Sequence, residues 1–172
     1  QRQMCIRDRV HPSVVFGNNV VIDSFVEIKS FSHLEECRIK KGSIIGPYAR
    51  IRGGTIIDEK SKIGNFVEIK KSNISKKVKI NHLSYVGDTE IGSSTNIGAG
   101  TITCNYDGIK KNKTTISDNV FIGSNSSLVA PIKINKNAVV GAGSVITKDV
   151  KENSLSIERS EQEEIENYKR KK

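Results

Sequence analysis

An aliphatic or phenylalanine side chain returns every six residues along most of this 172-residue chain. The anchors are Phe16, Ile22, Ile28 and Leu34, then Ile39, Ile45, Ile51, Ile57, Ile63 and Ile69, then Ile74, Ile80, Val86, Ile91 and Ile97. After an interruption they resume at Ile116, Ile122, Leu128, Ile134, Val140 and Ile146. Three steps, 34 to 39, 69 to 74 and 86 to 91, shorten to five residues. A sandwich needs alternation within strands and turns about every 8–12 residues, so this period excludes it. The period predicts one short strand and one turn per hexad, with the anchor pointing inward and three hexads closing a triangular coil of 18 residues. Coils then stack as parallel strands about 4.8 Å apart, and 21 anchors make about seven coils and roughly 30 Å of solenoid. Four positions after many anchors stands a small or β-branched residue, as at Ser43, Ala49, Thr55, Ser61, Val67, Thr95, Ser126, Ala138 and Ser144.

Only 35% of residues are hydrophobic and 5% aromatic, so the core must be built from small aliphatic side chains. A net charge of +9 admits anionic partners without choosing among them. Cys5, Cys37 and Cys104 are too few and too widely spaced for a disulfide framework or a zinc site, which points to a reducing, cytoplasmic setting. No apolar run approaches the roughly 18 residues of a membrane span or the uninterrupted stretch of a signal peptide.

Stacking residues one coil apart picks out two columns. After Ile80, Ile97, Ile122 and Val140, the third position reads His82, Ala99, Ser124, Ala142, flanked by Gly98, Gly123, Gly141, Gly100, Asn125 and Gly143. Turn geometry accounts for the glycines. The same column is bare of side chains over three coils, and a long thin ligand could lie along its amides. In the next column Arg52 and Lys70 stand one coil apart, where two cations about 4.8 Å apart repel by about 3 kcal/mol at an effective dielectric near 20. A bound anion reverses that sign. His82, with an ordinary pKa of about 6.5, suits a general base, and hexad counting places it at the corner of these cations. The interruption, "TITCNYDGIKKNKTT", leaves the solenoid from the same column and brings Asn105, Tyr106, Lys110, Lys111 and Lys113.

The stretches "IGPYARIRGG", "IGNFVEIKKS", "INHLSYVGDTEIGSSTNIGAGTITCNYDG", "DNVFIGSNSSLVAP" and "VVGAGSVITKDV" resemble the C-terminal acetyltransferase domain of bifunctional UDP-N-acetylglucosamine pyrophosphorylase/glucosamine-1-phosphate N-acetyltransferase. The resemblance spans about residues 14 to 160, and "GTITCNYDG" after "HLSYVGD" is its most specific part. It implies a left-handed parallel β-helix, a homotrimer with sites between subunits, and N-acetylation of glucosamine-1-phosphate by acetyl-CoA. The product feeds UDP-N-acetylglucosamine, peptidoglycan and lipopolysaccharide synthesis, and no metal, nucleic acid or membrane is called for. His82 resembles the base that takes a proton from the sugar amine. Arg52, Lys70 and Lys111 match residues holding the sugar phosphate, and Tyr85 and Asn96 match further substrate contacts. Ala99, Asn105, Tyr106, Ser124, Ala142 and Arg159 match acetyl-CoA contacts.

Two departures stand out. The family's proline after the phosphate-binding arginine is Gly53, which predicts a looser turn. No "GxGxxM" phosphate loop occurs in these residues, so uridylyl transfer is expected to need sequence outside them. Residues 1–10 carry no hexad and read as a non-native leader on a truncated fragment, residues 11–150 as the β-helix, and residues 151–172 as a solvated tail able to form a short helix. A non-catalytic scaffold or relict of the bifunctional enzyme is the competing reading. A zinc hydratase is disfavoured by having only His11, His33 and His82, and nucleic-acid binding by four Tyr and five Phe that form no basic-aromatic strip.

Overall fold

The computed structural model describes residues 2–3 and 8–169. Cys5 and half of the predicted leader, residues 1 and 4–7, lie outside the described residues. The rest is a parallel β-solenoid with no helix among the described residues. Among the described residues its short strands form three parallel sheets of eight, nine and eight strands, and each strand pairs with the third one onward until the last, which pairs with the second one before it. The first sheet includes Cys37–Ile39, Thr55–Ile57 and Thr89–Ile91; the second includes Lys62–Asn65, Lys79–His82 and Asn96–Ile97; the third includes Arg50–Ile51, Glu68–Lys70 and Tyr85–Gly87.

Every anchor from Ile22 onward is buried, and Phe16 is partly buried against the core. Like sits on like, as in Ile63 on Ile80 on Ile97 on Ile122. The second small position of each hexad is also inward. At the corner between the first and second sheets its hydroxyls replace absent backbone partners: Ser61 Oγ donates to Ser75 O at 2.8 Å and accepts Val78 N at 3.2 Å.

The solenoid winds about eight turns, against seven counted from the anchors. Strands outside the counted anchors account for the excess: Ile102–Cys104 around Thr103, Arg2–Gln3, which pairs with Val20 and Val21, and one further strand towards each end. Arg9–Val10 pairs with Glu27–Ile28, and Leu155–Ser156 pairs with Val139–Val140. Residues 155–156 therefore extend the ladder beyond the predicted β-helix limit, and the tail has no helix through residue 169. The backbone ladder recruits them through amides, which sequence periodicity does not register.

All three shortened steps fall at the corner between the third and first sheets, because Leu34, Ile69 and Val86 lie on the former and Ile39, Ile74 and Ile91 on the latter. The long insertion leaves from the same corner, between Ile102–Cys104 and Thr114–Ile116. The apparent gap in the period hides an anchor: Thr103 occupies it, fully inward, with its Oγ1 accepting Gly87 N at 2.8 Å.

Candidate active site

Most of the expected site residues lie along one face of the prism and its two edges. On the outer side of the third sheet, Glu68 pairs in register with Arg50 and Tyr85, and Lys70 with Gly87. Arg52 Nη1 donates to Glu68 Oε1 at 2.9 Å, which holds the guanidinium at this edge beside Gly53. The Lys70 ammonium sits below its ordinary value, chiefly through its contact with the Lys111 amine. Burial lowers it further, as does the charge of Lys111 and then Arg52, while Asp88 pulls it back up. Three cations thus crowd one edge, the electrostatic condition of an anion site.

The inserted loop is tied to that edge. Asn105 is 6% exposed, and its Nδ2 donates to Asp88 Oδ2 at 2.5 Å. The loop tip is closed by Asp107, whose carboxylate accepts from the Lys110 and Ile109 amides at 2.8 and 2.9 Å and from Asn112 Nδ2 at 2.9 Å. These bonds pull its pKa down to about 2, the Lys110 amide contributing most. Tyr106 is exposed, its hydroxyl donating to Gly108 O at 2.7 Å, and it bridges to Lys111 across the loop. Lys111 also lines a cleft of about 340 Å³ with Lys71, Asp88, Glu90 and Lys113 on the side of the first sheet.

His82 lies at the other edge of the same face, which corrects the shared corner expected from hexad counting. The five residues from His82 to Gly87 span at most about 16 Å of extended chain. Counting placed residues in columns correctly but merged two successive corners, because a hexad has no marker for which end of its strand a residue occupies. His82 is exposed, and its Nδ1 lies 2.7 Å from Asn65 Oδ1. An amide oxygen can only accept, so Nδ1 carries a proton, and in the neutral ring the lone pair is on Nε2. A groove of about 300 Å³ runs below it, lined by Lys29, Lys62, Asn65 and Asn81.

Above His82 the corner is bare. Ala99, Ser124 and Ala142 stack on successive coils, with Asn125 N donating to Ala99 O at 2.7 Å and Gly143 N to Ser124 O at 2.8 Å. Arg159 reaches back to the top of this strip, its Nη1 donating to Ala142 O at 2.8 Å. The neighbouring glycines have a packing reason: a Cβ on Gly98 would stand 2.5 Å from Ser124 N, and one on Gly123 2.4 Å from Ala142 N. Close approach of coils, more than turn geometry, requires glycine there.

Asn96 stands apart. It lies on the second sheet between Lys79 and Phe121, around the corner from Tyr85. Asn65, Glu68 and Asp88 went unnoticed in the sequence. Each lies one coil from a predicted site residue, so column stacking alone would have found them. Phe31, Tyr48 and Phe66 stack on one another, with centroids 4.9 and 5.2 Å apart and no basic residue interleaved.

The bacterial transferase hexapeptide family (six repeats) matches residues 36–71 and 113–148. The bifunctional protein GlmU of Zymomonas mobilis subsp. mobilis is 57% identical over 154 residues, 90% of this chain and 34% of that protein. The GlmU proteins of Anaplasma marginale and Wolbachia pipientis wMel are each 52% identical, over 93% and 89% of this chain and 37% and 36% of theirs. The chain thus spans about a third of the length of the curated relatives it matches. Among solved structures, the UDP-N-acetylglucosamine acyltransferase of Francisella novicida superposes with a TM-score of 0.62 at 19% identity, covering 91% of this chain and 65% of that one. The Campylobacter jejuni enzyme of the same name gives 0.56 at 13%, over 86% and 70%. These two share the fold. With half or more of its residues identical to GlmU proteins over nine-tenths of its length, the chain belongs to the GlmU family across the family's hexapeptide-repeat region.

Proposed function

We propose that this chain N-acetylates glucosamine-1-phosphate with acetyl-CoA, releasing N-acetylglucosamine-1-phosphate and CoA, the acetyltransferase half-reaction of the GlmU proteins. The observation that carries the reading is the third-sheet face, with a base at one edge and three cations at the other. A lysine side chain and an imidazole reach about 6 and 5 Å from their backbones, which leaves a sugar-sized gap within the roughly 16 Å span.

Arg52, Lys70 and Lys111 hold the phosphate by charge-assisted bonds. Tyr85, midway along the face, positions the ring. His82 Nε2 takes the proton of the 2-amino group as its nitrogen forms the new amide bond, and Asn65 holds the ring in the required tautomer. Acetyl-CoA supplies the thioester, whose C–S bond breaks to leave the CoA thiolate. The stacked Ala99, Ser124 and Ala142 leave room for its long arm, Arg159 meets it near the top of the strip, and Asn105 and Tyr106 border it from the loop of a neighbouring chain. Asn96 faces away from this sheet, so its contribution comes from a second chain, and the working enzyme is a homotrimer in the cytoplasm. No helix among the described residues is long and apolar enough to cross a membrane.

The test is thiol release from acetyl-CoA dependent on glucosamine-1-phosphate. Wild type releases thiol and His82→Ala loses at least a hundredfold in rate, as expected for a general base. Equal slow release by both would leave the scaffold reading in place.

A further inference from the structure

The groove on the second sheet that ends at His82 has no part in the reaction proposed above. Strand register sets its shape. Lys29, Gly46, Gly64 and Asn81 stand on successive coils, each directly after an anchor, and the two glycines leave the floor without side chains. Lys62 walls it on one side, and Pro47 and Asn65 on the other. Lys29 closes the lower end, and Asn81 and His82 close the upper one.

The charge in this groove is of one sign. No Asp or Glu lines it, and neither the Lys29 nor the Lys62 ammonium joins an ion pair among the described residues. Glu27, two coils below Lys62 in the same column, is taken by Arg9 and His11 at 3.1 and 3.0 Å. Lys79 lies in register one coil above Lys62. Like charges directly opposite each other on neighbouring strands destabilise a sheet. The cleft beside Lys111 sets Asp88 and Glu90 among its lysines, whereas this groove holds no carboxylate to offset its own.

Asn65 links the groove to the base. Its Oδ1 takes the His82 Nδ1 proton across 2.7 Å, while its Nδ2 has no acceptor among the described residues and two hydrogens to give. We infer that the groove is a second anion site, which holds a phosphate group between Lys29 and Lys62 by charge-assisted bonds and engages Asn65 through Nδ2. Its volume of about 300 Å³ is at the small end of ligand pockets, which suits inorganic phosphate or a small phosphate ester. Donation from Nδ2 makes Oδ1 the stronger acceptor, so occupancy tightens the bond that fixes the His82 tautomer. The anion thus acts on the base from the second-sheet side, away from the edge of Arg52, Lys70 and Lys111. The site stands on its own geometry, and only its consequence for the rate rests on the proposed reaction.

The test reads the imidazole and not the reaction. Inorganic phosphate is titrated into the full chain carrying isotope-labelled histidine, at about pH 8, where an ordinary imidazole is neutral, with chloride holding the ionic strength constant. The His82 ring signals, assigned by their absence in His82→Ala, should shift saturably in wild type. Lys29→Met combined with Lys62→Met keeps the apolar stems and removes both charged donors. It should raise the midpoint by about tenfold or more with an unchanged far-ultraviolet spectrum. Lys70→Ala, on the other edge, should respond as wild type does. No saturable shift in wild type, an unweakened response in the double variant, or a response lost in Lys70→Ala overturns the site. A parallel titration with glucose-6-phosphate separates the two sources: tighter binding than inorganic phosphate assigns the site to an ester, and equal or weaker binding assigns it to phosphate itself. Absent thiol release with this pattern intact would count only against the proposed reaction.

Discussion

Replacing Gly123 by Ala isolates the reason for glycine beside the bare strip. The new Cβ would lie 2.4 Å from Ala142 N and 2.7 Å from Ala142 Cα, both backbone atoms of the next coil, whereas real Cβ contacts stay above 3.0 Å. The coils must separate by at least 3.0 − 2.4 = 0.6 Å. The ladder bond from Gly123 N to Val140 O, now 2.8 Å, would stretch to 2.8 + 0.6 = 3.4 Å, where little of it survives. Overpacking costs about 1–3 kcal/mol and the weakened bond about 1, for roughly 2–4 kcal/mol in all. At this chain length that lowers the midpoint of thermal unfolding by about 5–12 °C, read by circular dichroism. Gly143 separates this cause from backbone conformation, since it has φ 74° and nothing within 4 Å of its would-be Cβ. Gly143→Ala should cost only the left-handed penalty, about 1–2 kcal/mol, and Gly143→Asn almost nothing. A Gly123→Ala midpoint within 1 °C of wild type, or a larger loss for Gly143→Ala, refutes the close-approach argument.

Three further outcomes follow from named contacts. Because the Lys70 pKa is depressed in the folded state, the unfolded chain binds more protons in the interval below 10.5, so stability rises with pH through that interval. Lys111→Ala should flatten the rise in denaturant titrations, and sulfate at low ionic strength should stabilise wild type more than the variant. Asp107, with its pKa near about 2, supports the loop above its unfolded value of 3.8 and loses that support as pH falls from 3.8 toward 2; Asp107→Ala should speed hydrogen exchange at the Ile109 and Lys110 amides at neutral pH, and unchanged exchange would contradict the cap. Burial pushes the Cys37 thiol up to about 12, so with Cys5 and Cys104 changed to Ser it should resist a thiol reagent until the chain unfolds.

The core was legible because a six-residue period has one simple solution: Ile69 is inward for the same reason as Ile51 below it and Val86 above. The terminal strand at Leu155 was not, since it joins through backbone amides while its side chains carry no anchor, and Val10, though six residues before Phe16 and paired with Ile28, is a single repeat at the edge of an unpatterned leader. Column stacking brought Arg52 and Lys70 together, and the structure adds Lys111 to them. It could not separate the two ends of a face, so His82 was set too near the cations. The aromatic ridge escaped notice because Phe31, Tyr48 and Phe66 are spaced by 17 and 18 residues, and the shortened step at 34 to 39 blurs that repeat.

Whether the site is built by two chains can be measured by complementation. Lys70→Ala and Asn96→Ala are each inactive or nearly so on their own, and the two are unfolded together and refolded at equal concentration. In a random ring, about a quarter of sites pair an intact Lys70 with an intact Asn96 from the neighbour, so the mixture should recover about a quarter of wild-type thiol release. A mixture no faster than the separate variants would mean that both residues serve one site within a single chain, and would contradict the account.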